Sequence, residues 1–268
     1  SFDGVDDYVE AGRDVDLRNS PFSIEVWYKS PTITSSVAIN IVDNYGTSES
    51  SSPSSWNLHI TGSGHGTDAG KAVFYASGMN LFSSTRIDDG VWHHISIERY
   101  NDETIKMFVD GIINATSTLN LSAEIYSGFN LLIGSRHYNR FHECNISDIM
   151  ISRQNTYSDS FLPPSSFTAN QSTVFHLQMN EGSGTSLDDQ SSYDNDGTIY
   201  GATWTGLCAG LICVIDPEST DADGDIVWHR RTESAVRNSV ALADGGLFAA
   251  SQNGQLLRLD SGSGEVVW

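Results

Sequence analysis

Phe22-Ser23-Ile24-Glu25-Val26-Trp27-Tyr28-Lys29 alternates residue by residue. Phe22, Ile24, Val26 and Tyr28 fall on one side of an extended chain, and Ser23, Glu25, Trp27 and Lys29 fall on the other. Period two is the signature of a strand with one buried face. Trp27 interrupts the polar side, so that side is expected to be partly covered. Moving outward, Asn57–Ile60, Lys71–Ala76, Trp92–Glu98, Thr104–Val109, Leu131–Gly134 and Ile146–Ser152 also read as strands. Asp110-Gly111 separates Ile105–Val109 from Ile112-Ile113, which is a strong hairpin signal. No segment sustains a 3.6-residue period. Short strands between Gly, Asn, Asp and Ser turns predict an all-β sandwich.

Composition narrows the functions available. The 268 residues carry 34 acids against 14 bases, a net charge of -20. That charge repels nucleic-acid backbones and anionic membranes. It suits a soluble surface in an extracellular setting, and it also suits calcium, which takes clustered carboxylates. The longest apolar run, Leu207–Ile215, is too short to span a bilayer. Of three cysteines, Cys208 and Cys213 are close enough for a small-loop disulfide, and Cys144–Cys208 is the rival pairing. Sequons stand at Asn114, Asn120, Asn145 and Asn170, against roughly three expected by chance, so they say little.

Several motifs then occur in a telling order. Ser1-Phe2-Asp3-Gly4-Val5-Asp6-Asp7-Tyr8-Val9 opens the chain, followed by Phe22–Trp27 and Asp89-Gly90-Val91-Trp92-His93-His94-Ile95. Phe108-Val109-Asp110-Gly111, Leu132-Ile133-Gly134, Ile146-Ser147-Asp148-Ile149, Tyr157-Ser158 and Phe161 come next. This order resembles laminin-G-like, concanavalin-A-like jelly rolls over some 160 residues. The resemblance implies two antiparallel sheets and a module that binds rather than catalyses.

Residues 174–204 resemble a further piece of the same module. Asn180-Glu181-Gly182-Ser183-Gly184-Thr185, Gly197-Thr198 and Gly201-Ala202-Thr203-Trp204 look like the lead-in that often precedes the Phe-Asp-Gly strand. Here it follows the body. It is expected to complete the sheet beside Phe2–Glu10, giving a jelly roll over 1–205. A second, truncated module is the alternative.

Residues 206–268 form a different tail. Gly224-Asp225-Ile226-Val227-Trp228 is echoed 40 residues later by Gly264-Glu265-Val266-Val267-Trp268. That is propeller-blade spacing, and residues 211–268 resemble one quinoprotein-type repeat. Ser239–Ala243, Leu247–Ser251 and Gln255–Leu259 read as three strands. A lone blade cannot bury both faces, so the tail is expected to pack on the jelly roll, join copies of the chain, or belong to a longer parent.

Candidate sites follow from these placements. Sandwich-fold glucanases carry Glu-x-Asp pairs on one strand face, and no Glu here has Asp two residues on. His93 and His94 are adjacent on a strand, so they face opposite sides and cannot chelate one ion together. Calcium candidates are Asp3, Asp6, Asp7, Asp43 and Asp188, with the 3–7 and 188–189 acids converging if the lead-in joins the first strand. Pentraxins, which resemble this fold, bind calcium through an acidic loop, and Ser135–Asn139 at that place holds no acid. Asp221–Asp225 fails as an EF-hand because Arg230 stands where Glu is needed. Sugar-binding candidates in or near expected loops are Tyr45, Trp56, Tyr126, His137, Tyr138 and Arg140.

The leading expectation is a non-catalytic, secreted carbohydrate-binding or adhesion module for glycans or matrix polymers, ordered by Ca2+. The alternatives are a self-assembling subunit joined through residues 211–268, or an accessory piece of a larger quinoprotein-like or glycan-degrading enzyme.

Overall fold

The computed structural model describes residues 1–13, 15–44, 56–120, 123, 125, 128–136 and 140–205, with short pieces between 211 and 267. Two compact units divide the chain: residues 1–163 with 167–203, and residues 164–166 with 204–268.

In chain order the first unit begins with β1 (Phe2–Asp3), β2 (Tyr8–Ala11), β3 (Phe22–Lys29), β4 (Ile39–Asp43), β5 (Trp56–Ile60) and β6 (Lys71–Ala76). It continues through β7 (Met79–Arg86), β8 (His93–Arg99), β9 (Thr104–Val109), β10 (Ile112–Thr118), β11 (Leu131–Ile133) and β12 (Ser135–Arg136). It closes with β13 (Arg140–Phe141), β14 (Glu143–Ser152), β15 (Thr173–Leu177), β16 (Ser186–Leu187) and β17 (Gly197–Tyr200). One antiparallel sheet runs β1-β14-β3-β8-β9-β10, with β15 also paired to β14. The other runs β16-β17-β2-β11-β4-β5-β6-β7. Together they make a jelly-roll sandwich.

The alternation in β3 explains the core. Phe22, Ile24, Val26 and Tyr28 are fully buried. Phe22 meets Phe74 of the opposite sheet with ring centroids 6.0 Å apart. The polar side of β3 is buried as well, because Thr156, Tyr157, Phe161 and Phe167 pack on that side. Thr156 Oγ1 donates to Ser23 Oγ at 3.1 Å, and Tyr157 Oη donates to Glu25 Oε2 at 2.9 Å. His94 of β8 turns to the same side, edge-on to Trp27, Phe161 and Phe167 at 5.3, 5.6 and 5.6 Å.

The Asp110-Gly111 hairpin has φ of +53° and +76°, the two positive values that the tight turn demands. A Cβ on Gly111 would strike the carbonyl oxygen of Phe161, so glycine also admits the covering segment. Asp110 then turns its carboxylate back, accepting from His94 N at 3.1 Å and contacting His93 Nδ1 at 2.9 Å.

The stretch after the family-like body divides between the layers. β15 pairs with β14 in one sheet, while β16 and β17 extend the other past β2. Tyr200 lies opposite Tyr8, and Gly197 lies opposite Ala11. Asp189 ties the two parts together. Its carboxylate accepts from His176 N, Ser191 N, Ser191 Oγ and Asn195 N at 2.7–3.0 Å.

In the second unit β18 (Leu211–Ile212) pairs with β19 (Arg230–Arg231). β20 (Ala241–Ala243), β21 (Gly246–Ala250) and β22 (Leu256–Asp260) form an antiparallel meander. Cys208, Cys213 and the acidic stretch 216–225 lie outside the described residues. Cys144 is a buried free thiol. Among the described residues no helix is long and apolar enough to cross a membrane.

Candidate functional site

Register brings three aromatic rings together. Tyr8 and Tyr200 are direct cross-strand partners, and they point away from the core that holds Val9. Their rings stack with centroids 4.6 Å apart and planes 12° apart. Phe141, on the β12–β13 hairpin, continues the row 6.4 Å from Tyr8. Tyr200 is 43% exposed, so one end of the row is open to solvent.

The other end of the row meets a cavity. Phe141 lines it together with Asp3, Thr32, Thr34, His142 and Glu143, around a volume of about 250 Å³. Asp3 and Glu143 are direct partners in the β1–β14 ladder, so two acids stand side by side at its wall. Gly4 makes this approach feasible. Its φ is +84°, and a Cβ there would come within 2.7 Å of Glu143 N. His142 Nε2 contacts Tyr28 Oη at 2.8 Å, while its Nδ1 has no hydrogen-bond partner. Burial pushes the His142 pKa down to about 3, so the ring is neutral.

Asp3, Asp6 and Asp7 bring ligand oxygens within 4.8 Å of one another. Asp3 N donates to Asp7 Oδ2 at 2.5 Å, and Val5 N donates to Asp3 Oδ1 at 2.8 Å. Burial, ahead of the neighbouring acids, raises the Asp7 carboxyl above its ordinary value. Calcium takes six to eight oxygens, so an ion held here would draw on backbone carbonyls or waters besides the three carboxylates.

The expected convergence with residues 188–189 does not occur. Asp6 and Asp7 lead into the Tyr8 end of β2, whereas Leu187 pairs with Gly197 beside Ala11 at the far end. Asp188 is exposed there, and Asp189 is occupied in its loop. Asp43 is also elsewhere, buried in β4 between Leu132 and Asn57.

Of the expected sugar ligands, Trp56 is corrected. It is fully buried at the start of β5, opposite Ala76, with its ring 6.3 Å from Phe74. An apolar residue at a loop-to-strand boundary reads the same in sequence whether it points in or out. Arg140 is half-buried in β13, opposite Arg136. Tyr45, Tyr126, His137 and Tyr138 lie outside the described residues. Sequence reasoning missed Tyr8, Tyr200, Phe141 and His142. Only the pairing of residues 8–11 with 197–200 assembles the row, and no local pattern announces it.

A family model described as the concanavalin A-like lectin/glucanases superfamily, Laminin G 3, matches residues 3–159. The chain belongs to this family. The laminin-G-like match ends before β15, so β15–β17 complete the sheets from beyond it. No curated protein matches the chain. Among solved structures, the fold is similar to that of a candidate carbohydrate-binding protein from Bacteroides ovatus, at 15% identity and a TM-score of 0.58. The likeness covers 75% of this chain and 57% of that one, so this chain spans little more than half of it. A carbohydrate-binding module, CBM40, of the Ruminococcus gnavus IT-sialidase, bound to α2,3-sialyllactose, aligns at 14% identity and a TM-score of 0.40, over 58% and 91% of the two chains. The SAP-like pentraxin of Limulus polyphemus aligns at 11% identity and 0.43, over 59% and 76%.

The laminin-G-like unit also buries ionisable groups that respond to pH. Glu98 is fully buried, accepting from Ser96 Oγ at 2.7 Å and Thr156 N at 2.7 Å. Burial, reinforced by Glu25, pushes its carboxyl well above the ordinary range despite those donors. His93 lies between Asp110 and Asp89 at 2.9 and 3.0 Å. Burial alone would lower its pKa, but the two carboxylates outweigh that and raise it. Both groups hold their protons more tightly when folded. Their contribution to stability is complete below the unfolded pKa values and is lost as pH rises through the folded ones. Neutral, buried His142 works the other way below about pH 6.5, so it is above that pH that the melting temperature should fall as pH rises, and Glu98→Gln should flatten the slope. Thermal melts above that pH check this, and an unchanged slope in the variant would place the pH dependence in other groups.

Proposed function

We propose that the laminin-G-like unit is a non-catalytic carbohydrate-binding module of a secreted or cell-surface protein. The observation that carries this reading is the row Tyr200–Tyr8–Phe141, open at one end and running into a small polar cavity at the other. Aromatic faces offer large, stiff contact area, and a few polar groups around a concavity fix orientation. Sugars present both complementary surfaces, an apolar ring face and a rim of hydroxyls. Thr32 and Thr34 would meet the hydroxyls, and Phe141 would meet the ring. The fold likeness to the Bacteroides ovatus protein supports the reading.

A glycan array with the whole chain tests it. Tyr200→Ala and Phe141→Ala should each weaken the strongest array signal about tenfold, roughly 1.4 kcal/mol, without lowering the melting temperature by more than a few degrees. A blank array for the unaltered protein, with and without added Ca2+, would overturn the reading.

A further inference from the structure

We propose that the cavity at the end of the aromatic row receives the protonated amine of an amino sugar, so that the module prefers basic glycans to N-acetylated or anionic ones. This rests on the carbohydrate-binding reading and adds the charge of the ligand.

The argument begins with the β1–β14 ladder. Asp3 and Glu143 are directly opposed, and both line the cavity. Like charges directly opposite in an antiparallel pair destabilise the sheet. Residues that line this cavity include no lysine or arginine to offset them. Asp6 and Asp7 place two more carboxyls beside Asp3. The one basic ring at the wall, His142, is held neutral by burial. A cation between Asp3 and Glu143 removes the repulsion and gains two charge-assisted hydrogen bonds.

The remaining lining selects which cation. His142 is nine-tenths buried and its Nδ1 is shut off within the wall, so the ring shapes the cavity and the groups left to a ligand are the acids and hydroxyls. Thr32, Thr34 and Ser35 add hydroxyls, and Phe141 adds an aromatic face. A bare metal ion would use the acids and hydroxyl oxygens and leave the ring face idle. A lysine side chain would use the acids and the ring face but has no hydroxyls to offer. An amino sugar engages all of them. The volume of about 250 Å³ lies just under the roughly 300–1,000 Å³ of drug-sized pockets, which suits one ring.

Isothermal titration of the full chain near pH 6 tests this with four probes: glucosamine oligomers, their N-acetylated counterparts, a sialylated oligosaccharide and an oligolysine peptide. The free-amine oligomers should bind at least tenfold more tightly than the N-acetylated ones, and the sialylated probe should not bind. Asp3→Asn with Glu143→Gln should erase the preference and leave the melting temperature equal or higher, since the repulsion is gone. Equal binding of free-amine and N-acetylated oligomers would overturn the amine pairing while leaving the carbohydrate reading standing. Binding of no sugar probe would count against both. Oligolysine binding without glucosamine binding would reassign the cavity to a peptide. Ca2+ titrated alone, binding tightly and competing with the amine, would reassign it to a metal.

Discussion

Trp56→Ala should cost about 3–5 kcal/mol of stability, the range for truncating a fully buried large aromatic. For a unit of this size that lowers the melting temperature by roughly 6–20 °C. The indole lies on Phe74 in the eight-stranded sheet and has no exposed surface. Glycan binding measured well below the melting temperature should be unchanged. The indole N–H has no partner, and an unpaired buried donor costs about 1–3 kcal/mol. Trp56→Phe should therefore recover much of the loss, because it keeps most of the volume and removes the orphan donor. The core placement would be sunk by lost binding in a variant whose melting temperature is intact.

Asp189→Ala should be comparably damaging, by another route. The carboxylate accepts four hydrogen bonds, and those from His176 N and Asn195 N are buried. Stranding two buried main-chain donors costs about 2–6 kcal/mol. The damage should be local before it is global. Residues 186–200 would detach first, opening the edge of β2 that β17 covers. Hydrogen exchange should quicken in Gly197–Tyr200 and in Tyr8–Ala11, while β8 and β9 stay protected. Unchanged protection along β17 would show that the loop does not hold that strand. Asp189→Asn should lie between, since an amide keeps one acceptor oxygen and brings a donor where a donor already stands.

These two residues show what sequence could and could not yield. Alternation in Phe22–Lys29 reveals a strand, and Trp27 on its polar side reveals a cover, because both rest on period two. Asp110-Gly111 reveals a hairpin, because few residue pairs tolerate two positive φ values. His93 and His94 separate to opposite sides for the same geometric reason. Pairing across 190 residues is different in kind. Tyr8 and Tyr200 have no local mark of their stacking, and Asp188 has none to say that it lies at the far end of β2 from Asp6 and Asp7. The cavity is harder still. It joins β1, the segment after β3 and the start of β14, and its opposed acids become visible only once Asp3 faces Glu143. Trp56 misleads because burial is a property of neighbours, and its neighbours come from another strand.

The place where β17 meets β2 bears on how such a module can be rewired. Ser1 N donates to Thr203 O at 2.6 Å, and Thr203 N donates to Ser1 O at 2.9 Å. Ser1 and Thr203 are thus hydrogen-bonded neighbours. A short linker between them, with residues 204–268 left off and new ends opened between Phe161 and Phe167, would preserve every strand neighbour of both large sheets. Such a circular permutant would carry Thr173–Tyr200 ahead of Phe2-Asp3-Gly4, the order that the resemblance of residues 174–204 to a lead-in implies. Either order of the segments would satisfy the same ladder of strands.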